Sequence, residues 1–171
     1  MSNVEIWFQD ETRVGQQGSL TRVWHYCGER PRLIRQQQYM SQYIFGAVCP
    51  QKGTSAGLIV SHVNKKMMAL QMEEISKQVS RDKHAVVVMD GALWHQADLN
   101  LANVTLLKLP PYSPELNPME QVWQMMKQRF LSNRSYKDIN TIVEACCSAW
   151  KAICESPHII QTLTQRKWAE I

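Results

Sequence analysis

Residues 84–90 read His-Ala-Val-Val-Val-Met-Asp, and this stretch decides the fold more than any other part of the chain. Five consecutive apolar residues between polar ends are typical of a central strand that is covered on both faces. Such a strand needs helices on both sides of its sheet, so the stretch predicts an α/β protein. Asp90 ends the strand, where open α/β sheets place their ligand sites.

The segments on either side of this stretch predict a mixed sheet flanked by helices. Apolar and aromatic runs bounded by turn residues predict further strands at 4–9, 21–27, 39–48, 57–63 and 104–109. The close spacing of the first strands favours an antiparallel part of the sheet. Apolar residues at three- and four-residue steps, together with capping residues, predict helices at 65–80, 117–131 and 136–155, and a less well-defined helical connection near 94–101.

The bulk composition limits the class of protein. A chain of 171 residues with 44% hydrophobic and 20% charged residues fits a single domain over 1–171. No apolar stretch approaches the ~20 residues that span a bilayer, and no signal peptide is evident, so a cytoplasmic protein outside the membrane is expected. Five cysteines without a CxxC pair favour neither a disulfide framework nor a zinc site. The formal net charge of +4 is compatible with a nucleic-acid partner without establishing one.

Three acids are the candidate functional residues, and each has an ordinary structural alternative. Asp10 ends the apolar segment at 4–9, where a lone acid is often just solvated. Asp90 precedes Gly91, and Asp-Gly is also a common turn. Glu120 follows Asn117-Pro118-Met119, so it could simply complete a capping box at the start of a helix.

Taken together, the acids indicate a cation site. Carboxylates ~4 Å apart repel by about 4 kcal/mol per pair at an effective dielectric near 20, so convergence requires cations or proton uptake. Two acids at strand ends and one in the first turn of a helix can hold divalent metal ions against phosphate oxygens. The sequence contains no Gly-rich phosphate loop, GxSxG elbow or HExxH motif that would favour another common enzyme class.

Several motifs resemble the catalytic domain of DDE transposases, and most closely the bacterial insertion-sequence branch of the mariner-like superfamily. The most specific of them is the run from Leu109 to Glu120, Leu-Pro-Pro-Tyr-Ser-Pro-Glu-Leu-Asn-Pro-Met-Glu, followed by Trp123. The others are Trp-Phe-Gln-Asp-Glu at 7–11, Arg-Val-Trp at 22–24, Gly-Glu-Arg-Pro at 28–31 and Val-Met-Asp-Gly at 88–91 with Trp-His at 94–95. The resemblance covers nearly the whole chain.

This resemblance implies a ribonuclease H-like fold, with a mixed five-stranded sheet flanked by helices. It places Asp10 on the first strand, Asp90 on the neighbouring fourth strand and Glu120 on a helix after the fifth. These acids would be both the catalytic residues and the ligands of two Mg²⁺ or Mn²⁺ ions. The implied activity is metal-dependent DNA cleavage and strand transfer during transposition of an insertion sequence.

The resemblance also implies partners. The DNA would be the transposon ends and the target, placing the protein at the nucleoid, and a homodimer is compatible with the family. The helix-turn-helix region that usually precedes the first catalytic strand is missing, which implies a separately encoded helix-turn-helix protein or a truncated remnant. The side chains considered for DNA or phosphate contact are His95, Lys127, Arg129 and Arg134, although a lone histidine is more often structural and scattered basic residues are usually just solvated.

Two alternatives to a transposase stay open at the level of the sequence. One is a stand-alone ribonuclease H-like nuclease, which would use only water as its nucleophile. The other is an inactive remnant that binds DNA or a full-length transposase without cleaving. The presence of all three acids argues against the second alternative.

Overall fold

A five-stranded mixed sheet forms the centre of the protein in the computed structural model, which describes residues 3–91, 101–111 and 113–169. Its strands are β1 (Val4–Gly15), β2 (Ser41–Cys49), β3 (Thr54–Val60), β4 (His84–Met89) and β5 (Val104–Lys108), in the spatial order β3-β2-β1-β4-β5. β1, β2 and β3 pair antiparallel, whereas β4 runs parallel to both β1 and β5. The predicted mixed sheet is therefore confirmed.

Helices cover both faces of this sheet. They are α1 (Lys65–Gln78), α2 (Met119–Met126), α3 (Ile139–Cys154) and α4 (Pro157–Thr164). A π-helical turn at Lys127–Leu131 continues α2, and short 3₁₀ turns occupy Pro114–Leu116 and Lys167–Ala169. α4 was not predicted, although Pro157 at its first turn is a common helix-start signal. The predicted helical connection at 94–101 falls almost entirely outside the described residues.

The core is split between the two faces of the sheet, as the apolar run in β4 predicts. Side chains alternate along each strand, so Trp7 and Val87 pack on the face covered by α1, while Phe8 and Val88 pack on the opposite face. That opposite face carries the larger cluster, built with α2, α3 and α4. We refer to the two sides below as the α1 face and the α2 face.

The predicted strand at 21–27 is wrong. Residues 18–40 connect β1 to β2 without a strand, and Trp24, Tyr26 and Ile34 are exposed. β-branched and aromatic residues favour a strand only where a sheet surface is available for them to pack on. Residues 18–40 pair with none of the five strands, so their side chains have no sheet surface to pack on.

Two further features concern the cysteines and the lengths of the helices. All five cysteines are free thiols. No helix among residues 3–91, 101–111 and 113–169 is both long enough and apolar enough to cross a bilayer.

A buried acid that the sequence did not single out lies in β1. Glu5 is only 1% exposed, and its carboxylate accepts hydrogen bonds from the backbone N–H of Ser80 at 3.2 Å and from Nζ of Lys52 at 3.4 Å. Lys52 also donates to the carbonyl of Gln78 at the end of α1, at 2.7 Å. Burial alone would raise the pKa of Glu5, but these partners outweigh it and hold the pKa below its ordinary value of 4.5.

The Glu5 ion pair should make stability depend on pH in a defined direction. Because the folded-state pKa is lowered, the contribution is present above the unfolded-state pKa and is lost as the pH falls through the folded-state value. Glu5→Gln should therefore lower the free energy of unfolding by about 1–3 kcal/mol at pH 7 and by clearly less near pH 3. Urea denaturation at both pH values measures the difference, and a loss independent of pH would contradict this assignment.

Candidate active site

Two of the candidate acids come together because β1 and β4 are neighbours. The parallel ladder between these strands reaches the pair Phe8–Val88. Asp10 and Asp90 each lie two residues further along, so both follow the direction of Phe8 and Val88 toward the α2 face. Asp10 was expected at the end of its strand, and this is wrong: β1 continues to Gly15, paired with β2 alone.

All three acids line one cleft. Asp10, Asp90 and Glu120 border an opening of about 400 Å³, together with Gly91, Leu109, Pro110, Pro111, Ser113, Pro114 and Asn117. Asp10 is half-buried on the central strand β1, whereas Asp90 and Glu120 are exposed. The cleft is therefore open to solvent and to a large substrate.

Asn117 fixes the start of α2 against β1. Its side-chain amide donates to the carbonyl of Gln9 at 2.9 Å, and its Oδ1 accepts from the backbone N–H of Met119 at 3.1 Å. One side chain thus caps the helix and joins it to the residue before Asp10. The capping role is provided by Asn117, and the carboxylate of Glu120 makes no hydrogen bond among the described residues, so the capping-box alternative for Glu120 is not supported.

Trp123 links α2 to Asp10 directly. Its indole Nε1 donates to Oδ2 of Asp10 at 2.9 Å, and the side chain is only 3% exposed. This burial places Trp123 in the core cluster on the α2 face. The hydrogen bond to Asp10 was not predicted, because it joins residues 113 positions apart in sequence.

Two strand glycines allow this indole to approach the sheet. Asp10 pairs with Gly46, and Gly46 pairs with Gly57, so the three residues form a row across β1, β2 and β3. A Cβ at Gly46 would overlap the ring of Trp123, and one at Gly57 would lie 2.5 Å from Nε1 of Trp150. A glycine inside a strand is a known signal of close approach, and it could have indicated this groove from the sequence.

The electrostatic surroundings of Asp10 are unfavourable to its charge. Burial raises the pKa of Asp10 to about 7, and the negative charges of Glu11 and Glu120 act in the same direction. The hydrogen bond from Trp123 acts against them by stabilising the ionised form. A cation in the cleft would shift the equilibrium toward the ionised carboxylate.

The acids share the cleft without forming a compact ligand cluster. Within the described ranges, no three His, Cys, Asp or Glu side chains are close enough to constitute a ready-made metal site. The closer convergence that the sequence led us to expect is therefore not observed. Two neighbouring acids lie elsewhere: Glu11 accepts from Gln9 on the α1 face, and Glu115 is exposed outside the cleft lining. Asp98 lies outside the described residues.

The basic residues considered for DNA contact have different positions. Lys127 lines a second cleft of about 130 Å³ that also includes Arg13, Gln17 and Ser19. Arg129 is exposed on the π-helical turn, and Arg134 is exposed beside Tyr136. His95 lies outside the described residues.

A family model matches the part of the chain that contains this site. A model described as a DDE superfamily endonuclease matches residues 5–143, which include all three acids. The chain belongs to this family. The resemblance to DDE transposases that the motifs indicated is thereby confirmed at the level of the family.

Related proteins differ in how much of their length this DDE endonuclease chain covers. A protein of Sinorhizobium fredii described as uncharacterized is 46% identical over 132 residues, which is 76% of this chain and 98% of that protein. The Tc3 transposase of Caenorhabditis elegans is 22% identical over 163 residues, covering 87% of this chain and 49% of the transposase. The chain thus spans about half the length of that relative.

A solved structure confirms the fold class. The Mos1 mariner paired-end complex with Mn matches with a TM-score of 0.64 at 13% identity, covering 92% of this chain and 53% of that one. At this identity the likeness establishes the fold alone. The ribonuclease H-like arrangement expected from the sequence is therefore confirmed for this DDE endonuclease chain.

The double role of Asn117 can be measured by comparison with Asn64, which caps α1 through a single hydrogen bond to the N–H of Met67. Asn117→Ala should lower the free energy of unfolding by about 2–3 kcal/mol, because it leaves two buried backbone groups without a partner. Asn64→Ala should cost about 1 kcal/mol. Urea denaturation of both variants tests the difference, and equal losses would refute the link between α2 and β1.

Proposed function

We propose that this domain is the catalytic part of a transposase, which cleaves DNA and transfers a DNA strand during transposition of an insertion sequence. The observation that carries the proposal is the cleft that Asp10, Asp90 and Glu120 line together. Membership of the DDE endonuclease family supports it. So does the similarity to the Tc3 transposase and to a Mos1 complex with paired transposon ends.

The donor set of the cleft fits Mg²⁺ or Mn²⁺. Hard divalent cations prefer carboxylate oxygens, and Mg²⁺ usually keeps several waters and takes only one or two carboxylates. Asp10, Asp90 and Glu120 would hold two such ions, and the Mn named in the Mos1 complex supports this choice. When bound, the ions would supply activation of the attacking water or 3′-hydroxyl and stabilisation of the leaving oxygen.

The residues of the chain would contribute rigidity and charge. Asp10 is held by the sheet and by Trp123, whereas Glu120 is fixed by the attachment of α2 to β1 through Asn117. The only hydroxyl side chain among the described residues of the cleft is Ser113, and its hydroxyl donates to the backbone carbonyl of Pro111 at 3.4 Å. We infer direct in-line displacement at phosphorus, without a covalent enzyme intermediate.

The path of the DNA backbone would continue from the acids toward Lys127. Residues seven apart on a helix lie on the same side, about 10 Å apart along its axis, and Lys127 is seven residues after Glu120. With Arg13 it borders the second cleft, which also contains polar side chains able to bind phosphate. Arg129 and Arg134 are exposed candidates for further contacts, while the separately encoded helix-turn-helix partner and the homodimer stay predictions.

Neutral substitutions in the cleft test the assignment of the acids. Asp90→Asn and Glu120→Gln should each abolish Mg²⁺- or Mn²⁺-dependent cleavage while leaving the melting temperature nearly unchanged or raised, because they remove like charge. Glu115→Gln is the matched control. Glu115 is an exposed acid in the 3₁₀ turn before α2, and it does not line the cleft. Retained cleavage by Asp90→Asn would exclude this mechanism.

The same assay separates the transposase from its alternatives. The substrate is a duplex carrying the neighbouring inverted repeats, supplied with a second duplex as target. Joined products indicate strand transfer, whereas cleavage without joining indicates a nuclease that uses only water. DNA binding without either product in the wild-type protein would identify an inactive remnant.

The proposed phosphate contact of Lys127 has a quantitative test. Lys127→Ala should weaken DNA binding about equally for all sequences and reduce the slope of log K against log salt by roughly 1. Lys151→Ala is the control, because Lys151 is on α3 and pairs with Glu155 at 3.7 Å. Binding titrations at several salt concentrations measure both slopes, and identical slopes for the Lys127 variant and the wild type would rule out the contact.

A further inference from the structure

We propose that Trp123 is a positioning residue that fixes the orientation of the Asp10 carboxylate for cation binding. This inference rests on the proposed function, because it assigns a role toward the same site. It concerns a residue that contacts neither DNA nor the reacting atoms in the proposal. Its effect passes through Asp10.

The first step is the hydrogen bond itself. Nε1 of Trp123 lies 2.9 Å from Oδ2 of Asp10, and an indole offers one donor and no acceptor. Buried N–H groups are almost always paired, so a largely buried Trp123 strongly favours an Asp10 rotamer that keeps this contact. The backbone N–H of Glu11 is a second donor to this carboxylate. The lone pairs that these two donors leave are the acceptor positions for a cation.

The second step is the lack of freedom of the indole. Its ring lies directly over Gly46 and packs against Trp150, with a ring-centroid separation of 5.7 Å and an interplanar angle of 40°. α2, which carries Trp123, is itself attached to β1 by Asn117. The contacts with Gly46 and Trp150, together with the attachment of α2 to β1, therefore hold the indole N–H of Trp123 in place.

A purely structural role is the competing explanation, and Trp150 provides the matched control. Trp150 is 7% exposed and packs over Gly46, which Trp123 also contacts, and over Gly57. Its indole donates to no carboxylate in the part of the chain that the structure describes. Replacing either ring by phenylalanine removes similar apolar volume, but only the change at Trp123 removes a donor to Asp10.

Metal titration distinguishes the two explanations. Calorimetric titration of the metal-free full chain with Mn²⁺ should give about tenfold weaker binding for Trp123→Phe, and a change within about twofold for Trp150→Phe. Both variants should lose comparable thermal stability. Equal effects of the two substitutions on Mn²⁺ affinity would overturn the proposal.

A second readout needs neither metal nor activity. In the metal-free protein, the indole N–H resonance that disappears in Trp123→Phe should move upfield and exchange faster in Asp10→Ala, because its acceptor is gone. Glu120→Gln should leave that resonance in place. An N–H signal insensitive to Asp10→Ala would refute the positioning role, whereas a wild type that neither binds Mn²⁺ nor cleaves DNA would refute the proposed function instead.

The glycine groove supplies an independent pair of variants. Gly46→Ala should push on both Trp123 and Trp150 and weaken Mn²⁺ binding although the indole N–H of Trp123 is retained, whereas Gly57→Ala should push on Trp150 alone. Weakening of Mn²⁺ binding by Gly57→Ala as large as that by Gly46→Ala would contradict the role of Trp123. Because Gly46→Ala could also unfold the chain, the melting temperature of this variant is measured first. If the variant does not fold, the Mn²⁺ affinities of Trp123→Phe and Trp150→Phe decide between the two explanations.

Discussion

The site depends on the close approach of two indoles to two glycines in the sheet. Gly46 and Gly57 leave a shallow groove next to Asp10, and Trp123 and Trp150 fill it. Any side chain there would lift the rings away from the sheet, since protein interiors are close-packed and do not absorb an added methyl group freely. The glycines therefore set the distance of α2 and α3 from the sheet, and with it the position of Glu120 relative to Asp10.

Two acids on β1 differ in whether the surrounding fold compensates their negative charge. Glu5 faces α1, where a backbone N–H and Lys52 stabilise its charge and hold its pKa below the ordinary value. Asp10 faces α2, where one indole N–H is opposed by burial and by two acidic neighbours, so its pKa rises to about 7. The charge of Glu5 is compensated within the fold. The charge of Asp10 is not, and a divalent cation is the natural complement.

The connection at 18–40 is the clearest case in which local sequence misleads. Its aromatic and β-branched residues satisfy the local pattern of a strand, yet the segment joins none of the five paired strands, and Trp24 and Tyr26 are exposed. Side-chain amides instead attach its ends: Asn133 bonds both backbone groups of Thr21, and Gln36 bonds both backbone groups of Tyr136. Strand formation here was decided by sheet topology rather than by propensity.

The sequence by itself determined the fold class, most element positions and the choice of three acids that line one cleft. It could do so because the apolar run in β4, the helical periodicity of α1 and the Pro-rich motif before α2 are local patterns with few structural solutions. Only the tertiary structure decided that β1 continues past Asp10, that Asn117 and Trp123 reach back to β1, and that Asp10 lies beside a glycine groove. The two hydrogen bonds join residues 108 and 113 positions apart, and the strand pairing joins Asp10 to Gly46. No local pattern encodes which distant backbone carbonyl or carboxylate a side chain will meet.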